Sequence, residues 1–174
     1  MTHPNIIKII CHDIGKHLGC YGVKSVSTKA IDALAKNGIL FENSYATSPG
    51  CSPSRAAIAT GLYPHNNGVL GLAHAHFGWS LDKKVNHIAK HFFKNNYSSI
   101  LFGLQHVTYN EKTLGFKKIF PERPADAVVK NIRENIDSNL FKKPFYAEIN
   151  FFEPHRPFDF GGVKPFKSKG ISVP

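Results

Sequence analysis

Short apolar runs alternate along this chain with stretches whose apolar residues recur at helical spacing. Asn5 to Ile10 is a compact apolar run that reads as a buried strand. A glycine-bearing loop over 11–26 follows, and Ser27 is placed to cap a helix through about Lys36, with Gly38 just past its end. Ile39 to Tyr45 reads as a second strand, and Ala46 to Gly50 as a loop of small residues. Ser52 to Thr60 reads as a helix stopped by Gly61, with Pro53 in its first turn, where a missing N–H costs nothing. Val85 to Phe93 is amphipathic and helical, and Ser98 to Phe102 is a strand. Ala125 to Ile136 sets Ala127, Val128, Ile132 and Ile136 at helical spacing, and Phe145 to Phe152 forms the last strand, closed by Pro154. Strands alternating with helices predict an α/β domain with a mostly parallel central sheet flanked by helices.

In such sheets, ligands bind beyond the carboxyl ends of the strands. The loops expected there carry His12-Asp13, Cys51, His106 and His155, an unusual density of chemically capable side chains. The length of 174 residues suits one domain, and no apolar run approaches a membrane span. Lys and Arg total 22 against 12 Asp and Glu, a net charge of +10, which favours an anionic partner. The basic residues are scattered singly or in pairs, such as Lys83-Lys84 and Lys142-Lys143, so a solvated basic surface explains them equally well. Three cysteines without an evident secretion signal lead us to expect reduced thiols and a cytoplasmic setting for the chain as written, or a periplasmic or secreted one if an upstream segment precedes it.

The segment Cys51-Ser52-Pro53-Ser54-Arg55, followed by Thr60-Gly61, concentrates the chemistry. A cysteine at a helix start faces unpaired N–H groups and the positive end of the helix dipole. Arg55, one turn on, sets a guanidinium beside it, an arrangement that attracts sulfate or phosphate. The residues alone fit a nucleophile at an anion site, or a helix start that happens to carry a cysteine.

This segment resembles the sulfatase signature C-x-P-S-R-x-x-x-x-T-G at every fixed position. The resemblance continues through Pro4-Asn5-Ile6-Ile7, His12-Asp13-Ile14-Gly15 and Gly19-Cys20-Tyr21-Gly22. Leu62 to Leu72 is most similar to the heparan N-sulfatase branch, Gly103-Leu104-Gln105-His106 to the family's G-K-x-H, and Glu153-Pro154-His155-Arg156-Pro157 to its P-H-x-P segment. The resemblance implies an alkaline-phosphatase/sulfatase-like fold. It implies a hydrolase of sulfate esters or sulfamates, with a sulfated small molecule or glycan as substrate and neither nucleic acid nor membrane as partner.

It also implies site roles. Cys51 becomes formylglycine through a maturation enzyme; its hydrated aldehyde attacks sulfur with one hydroxyl and expels sulfate with the other. Arg55 supports it, His106 contacts its hydroxyls, and His155 contacts sulfate and protonates the leaving group. Asp13, and more weakly His12, are implied as ligands with residue 51 of a divalent metal, Ca²⁺ or Mg²⁺. The chain departs from the family at His12, where most relatives have Asp, and at Leu104, where a sulfate-binding lysine is usual. His74, His76, His87 and His91 match no family position, and His87 and His91 read as sharing a solvated helix face.

The family completes its metal site with a later Asp followed by Asn or His, and only Asp159 carries a carboxylate beyond residue 157. Residues 1–174 are therefore expected to be the N-terminal portion of a sulfatase domain, incomplete at its C-terminus, with a complementing C-terminal fragment as a possible partner. Two alternatives stand beside this reading: a catalytically inactive anion- or glycan-binding remnant of the fold, and a related phosphoesterase.

Overall fold

The computed structural model describes residues 3–74, 78–156 and 158. His76, Pro157 and Asp159 fall outside that set. Four strands, β1 (Ile6–Cys11), β2 (Ser98–Gly103), β3 (Lys118–Phe120) and β4 (Phe145–Phe151), form one sheet in the order β1-β4-β2-β3. Every neighbouring pair is parallel. Parallel strands need long crossovers, and helices supply most of them: α1 (Lys29–Asn37), α2 (Cys51–Thr60), α3 (Pro64–Asn67), α4 (Ile88–Lys94) and α5 (Ala125–Asn135).

Strand alternation sorts the sheet into two faces. On one, α5 lays Val128 and Ile132 against Ile100, Phe102, Phe145 and Ala147. On the other, Ala89 and Phe92 of α4 pack on Tyr97 and Tyr146. A third cluster joins Ala56 of α2 to Val69, Val107 and Leu114 and so fixes α2 over the loop after β2. The edge strand β1 leaves Ile7 and Ile9 more than half exposed on the face that α5 covers elsewhere.

The sheet also buries charge. Glu148, at the middle of β4, receives Lys8 Nζ at 2.7 Å, the Tyr146 hydroxyl at 2.8 Å and Asn150 Nδ2 at 2.9 Å, and His87 Nε2 stands 4.0 Å away. Burial pushes this carboxyl up, but Lys8, His87 and the hydrogen bonds outweigh it and hold Glu148 below the ordinary carboxylate range. A buried charge is tolerated when it is paired and hydrogen-bonded in this way.

Three expectations need correction. Ile39 to Tyr45 joins no strand of the sheet; Ile39, Phe41 and Tyr45 are exposed at 81, 66 and 87%. An apolar run suggests a strand, but a strand also needs a neighbour to complete its ladder. The third parallel strand is instead Lys118–Phe120, too short for periodicity to reveal. Helix α4 begins at Ile88, not Val85, because His87 caps it, its Nδ1 accepting from the Ala89 N–H at 3.1 Å. His87 is therefore no solvated partner of His91: it is buried against Glu148 and Phe116.

Candidate active site

The six residues singled out from the sequence lie at the carboxyl edge of the sheet and the adjoining start of α2. β1 runs out into His12 and Asp13, and the His12 N–H donates to the Glu153 carbonyl at 3.1 Å, tying the end of β1 to the end of β4. His12 is buried, whereas Asp13 is exposed and takes a left-handed backbone (φ 52°), which Asp tolerates better than most residues. Gly50 occupies the N-cap of α2, so Cys51 is its first helical residue, one position later than a cap. Arg55, one turn in, is 6% exposed and donates through Nη1 to the Leu104 carbonyl at 3.4 Å. Position 104, which lacks the family's lysine, thus contributes a backbone acceptor that receives Arg55.

β2 ends at Gly103 with φ 83°, where an added Cβ would lie 2.0 Å from the Asn150 carbonyl oxygen. Only glycine allows β2 and β4 to approach so closely at the site. Gln105 then organises the loop: its Oε1 accepts from the Val107 and Thr108 N–H groups at 2.7 and 3.1 Å, and its Nε2 donates to the Thr108 carbonyl at 2.7 Å. Between these contacts His106 is held at φ 57°, a sparsely populated conformation for histidine.

Two clusters result. Ligand atoms of His12, Cys51 and His106 lie within 4.8 Å of one another, as do those of His12, Asp13 and His155. His155 meets His12 edge to face at 4.5 Å between ring centroids and stacks on Phe152 at 4.6 Å, while its Nδ1 bonds the Arg156 carbonyl. His12 Nδ1 stands 2.9 Å from Asp13 Oδ1, yet neither ring nitrogen makes a hydrogen bond of good geometry.

The electrostatics favour neutral imidazoles. Burial, then the nearby His74, Arg55, His12 and Arg123, push His106 down to about 4. Burial also lowers His12, partly offset by Asp13. These rings therefore offer lone pairs at neutral pH and can accept protons or ligate.

Four contributors were not legible from sequence. Ser52 Oγ accepts from the Ala73 N–H at 2.9 Å, which fixes the loop carrying His74. His74 Nδ1 hydrogen-bonds His106 Nε2, with the rings stacked at 4.7 Å. Glu153 Oε1 accepts from the Ala125 N–H at 2.9 Å, joining the start of α5 to the site loop. The Arg123 guanidinium lies 5.9 Å from the Phe152 ring centroid and adds to the field at His106. Each depends on contacts across 20 or more residues of chain, for which periodicity carries no signal.

The sulfatase family model matches residues 4–165, and the chain belongs to the sulfatase family. It is 40% identical over 157 residues to an ulvan-active sulfatase of Formosa agariphila, covering 87% of this chain and 30% of that protein. It is 26% identical over 160 residues to the human N-sulphoglucosamine sulphohydrolase, covering 87% of this chain and 32% of the relative. The solved structure of a 2-O GAG sulfatase superposes with a TM-score of 0.71 at 25% identity, covering 99% of this chain and 40% of the other. The chain thus spans roughly a third of the length of these curated relatives. The parallel sheet with its flanking helices is the sulfatase fold over that portion.

Proposed function

We propose that this chain carries the nucleophile side of a sulfatase site acting on a sulfated glycan, with Cys51 matured to formylglycine. The observation that carries the reading is the convergence of position 51, Arg55, His12 and His106 at the start of α2, beyond the ends of β1 and β2. Arg55 is buried and fixed by the Leu104 carbonyl, so its charge is aimed rather than free, which suits stabilising a sulfuryl group. His106, neutral at pH 7, can accept a proton from a hydroxyl at position 51. His155, half-buried on Phe152, is the group placed to protonate the departing oxygen or nitrogen. A glycan is the substrate class suggested by relatives acting on ulvan and N-sulphoglucosamine.

The resemblance implies a hard cation, Ca²⁺ or Mg²⁺, which needs mostly oxygen ligands. Among the described residues, the donors clustered around position 51 are three imidazoles, one thiol and the carboxylate of Asp13. That set does not make a Ca²⁺ site unaided. In our reading the missing oxygens come from a complementing segment of a longer protein.

The test is sulfate release from an aryl sulfate, ulvan and N-sulfated glucosamine by the chain coexpressed with a formylglycine-generating enzyme, with and without a sulfatase C-terminal segment. Turnover abolished by Cys51→Ala supports the reading. Binding of sulfated glycan with no turnover in either format favours an inactive remnant, and preference for phosphodiesters favours the phosphoesterase alternative.

A further inference from the structure

The same cluster has a second chemistry when Cys51 is an unmodified thiol. His12, Cys51 and His106 each present a ligand atom within 4.8 Å of the others, drawn from the end of β1, the start of α2 and the loop after β2. His12 is 4% exposed; its Nδ1 stands 2.9 Å from Asp13 Oδ1, and its Nε2 is buried without a hydrogen-bond partner. Buried polar atoms left unpaired are costly, and the cost is relieved when they coordinate something. His106 has one nitrogen engaged by His74, while its buried Nδ1 has no partner. A histidine that ligates a metal characteristically uses its second nitrogen for such an outer hydrogen bond, which fixes the tautomer and aims the free lone pair.

We propose that this chain, with Cys51 as the thiol, binds one borderline divalent transition metal, Zn²⁺ being the natural choice, through His12, Cys51 and His106. Two imidazoles and a thiolate form a soft-to-borderline donor set that selects Zn²⁺ over Ca²⁺. Three protein ligands leave the fourth tetrahedral position to water. Binding releases the thiol proton, so affinity rises with pH. Conversion of Cys51 to formylglycine removes the sulfur and with it the site, so the metal-loaded thiol and the matured residue exclude each other. The proposal does not depend on the sulfatase activity: it concerns the thiol form, and its readout is spectroscopic.

The experiment uses the 174-residue chain expressed without a maturation enzyme, titrated with Co²⁺ and then with Zn²⁺ in competition. The expected result is one equivalent of Co²⁺ with an intense near-ultraviolet thiolate-to-cobalt band, displaced by equimolar Zn²⁺ and unaffected by millimolar Ca²⁺. Cys51→Ser should abolish the band and weaken Zn²⁺ by more than the roughly 10–100-fold that outer-shell changes cost. A Cys11→Ser, Cys20→Ser double variant should retain the band, and His12→Gln should weaken binding. Absence of a thiolate band in the wild-type chain, or its survival in Cys51→Ser, overturns the proposal. If Cys51→Ser fails to fold, the Cys11→Ser, Cys20→Ser variant, which keeps Cys51 as its one thiol, decides the matter: retention of the band supports the proposal and its loss overturns it.

Discussion

His74 Nδ1 and His106 Nε2 share a hydrogen bond, with their rings stacked at 4.7 Å, and this pair couples the loop after α3 to the loop after β2. His74 reaches that position because Ser52, the second residue of α2, holds the Ala73 N–H. The residue that follows Cys51 thus sets the partner of His106, which lies in the same cluster as Cys51. His74→Ala should lower the turnover of the matured enzyme about tenfold or more and shift the acidic limb of its pH–rate profile, while leaving substrate affinity nearly unchanged. A change confined to KM would show that His74 acts on substrate and not on His106.

Arg123 is a cation on the Phe152 side of the candidate site. It sits over Phe152, which stacks on His155, and it contributes to the field that depresses His106. Arg123→Ala should raise KM for a polysulfated glycan several-fold and reduce the salt dependence of binding, with kcat little altered. Unchanged KM and salt dependence would remove Arg123 from the substrate side of the site.

Glu148 holds the buried charges beneath the site together. Glu148→Gln leaves Lys8 facing a neutral amide inside the sheet and should destabilise the fold by about 3 kcal/mol or more, read from chemical denaturation. Glu148→Gln combined with Lys8→Met removes both charges and should recover much of that loss, because the two positions are coupled.

His87 makes stability fall in acid. Burial, only partly countered by Glu148 and with Lys8 adding to it, lowers its pKa from 6.5 to about 4. The unfolded chain takes up a proton below 6.5 that the folded chain refuses until about 4. Its contribution is therefore fully present above 6.5 and is lost as pH falls through that window, by on the order of 3 kcal/mol. His87→Asn keeps a capping side chain and should flatten part of the slope of stability against pH between those values. His106, also depressed to about 4, supplies part of the slope that remains.

Gly103 sets the spacing of β2 and β4 at the mouth of the site. Gly103→Ala forces a Cβ to within 2.0 Å of the Asn150 carbonyl and should cost about 4 kcal/mol or more, visible as a lowered denaturation midpoint.

Much of this architecture was legible from pattern alone. Ser98–Gly103 and Phe145–Phe151 are apolar runs largely buried in a parallel sheet, α5 buries Val128 from a regular helical repeat, and Ile6–Cys11, read as a buried strand, forms an edge strand that leaves Ile7 and Ile9 exposed. Gly61 ends α2 with φ 70°, as the sequence predicts. The misjudged segments are those where local pattern and tertiary partner disagree. Ile39 to Tyr45 opens on an apolar run like a strand but finds no ladder, and Lys118–Phe120 pairs with β2 despite having only three residues. At the candidate site, the residues that the motifs single out lie together, but their spacing did not reveal what holds them. His74, Arg123, Glu148 and Glu153 act through contacts remote in sequence, and His87, which looked solvent-facing at a spacing of four from His91, is a buried cap.

The function proposed for this chain rests on position 51 being a sulfatase nucleophile. It is tested most directly by peptide mass spectrometry across residues 51–55 after coexpression with a formylglycine-generating enzyme, with hydrazide trapping of the aldehyde. The expected result is loss of the thiol mass at Cys51, gain of the aldehyde mass and a trapped adduct, with Cys11 and Cys20 unchanged. A Cys51 that remains wholly a thiol, while a control sulfatase peptide in the same cells is converted, would contradict it.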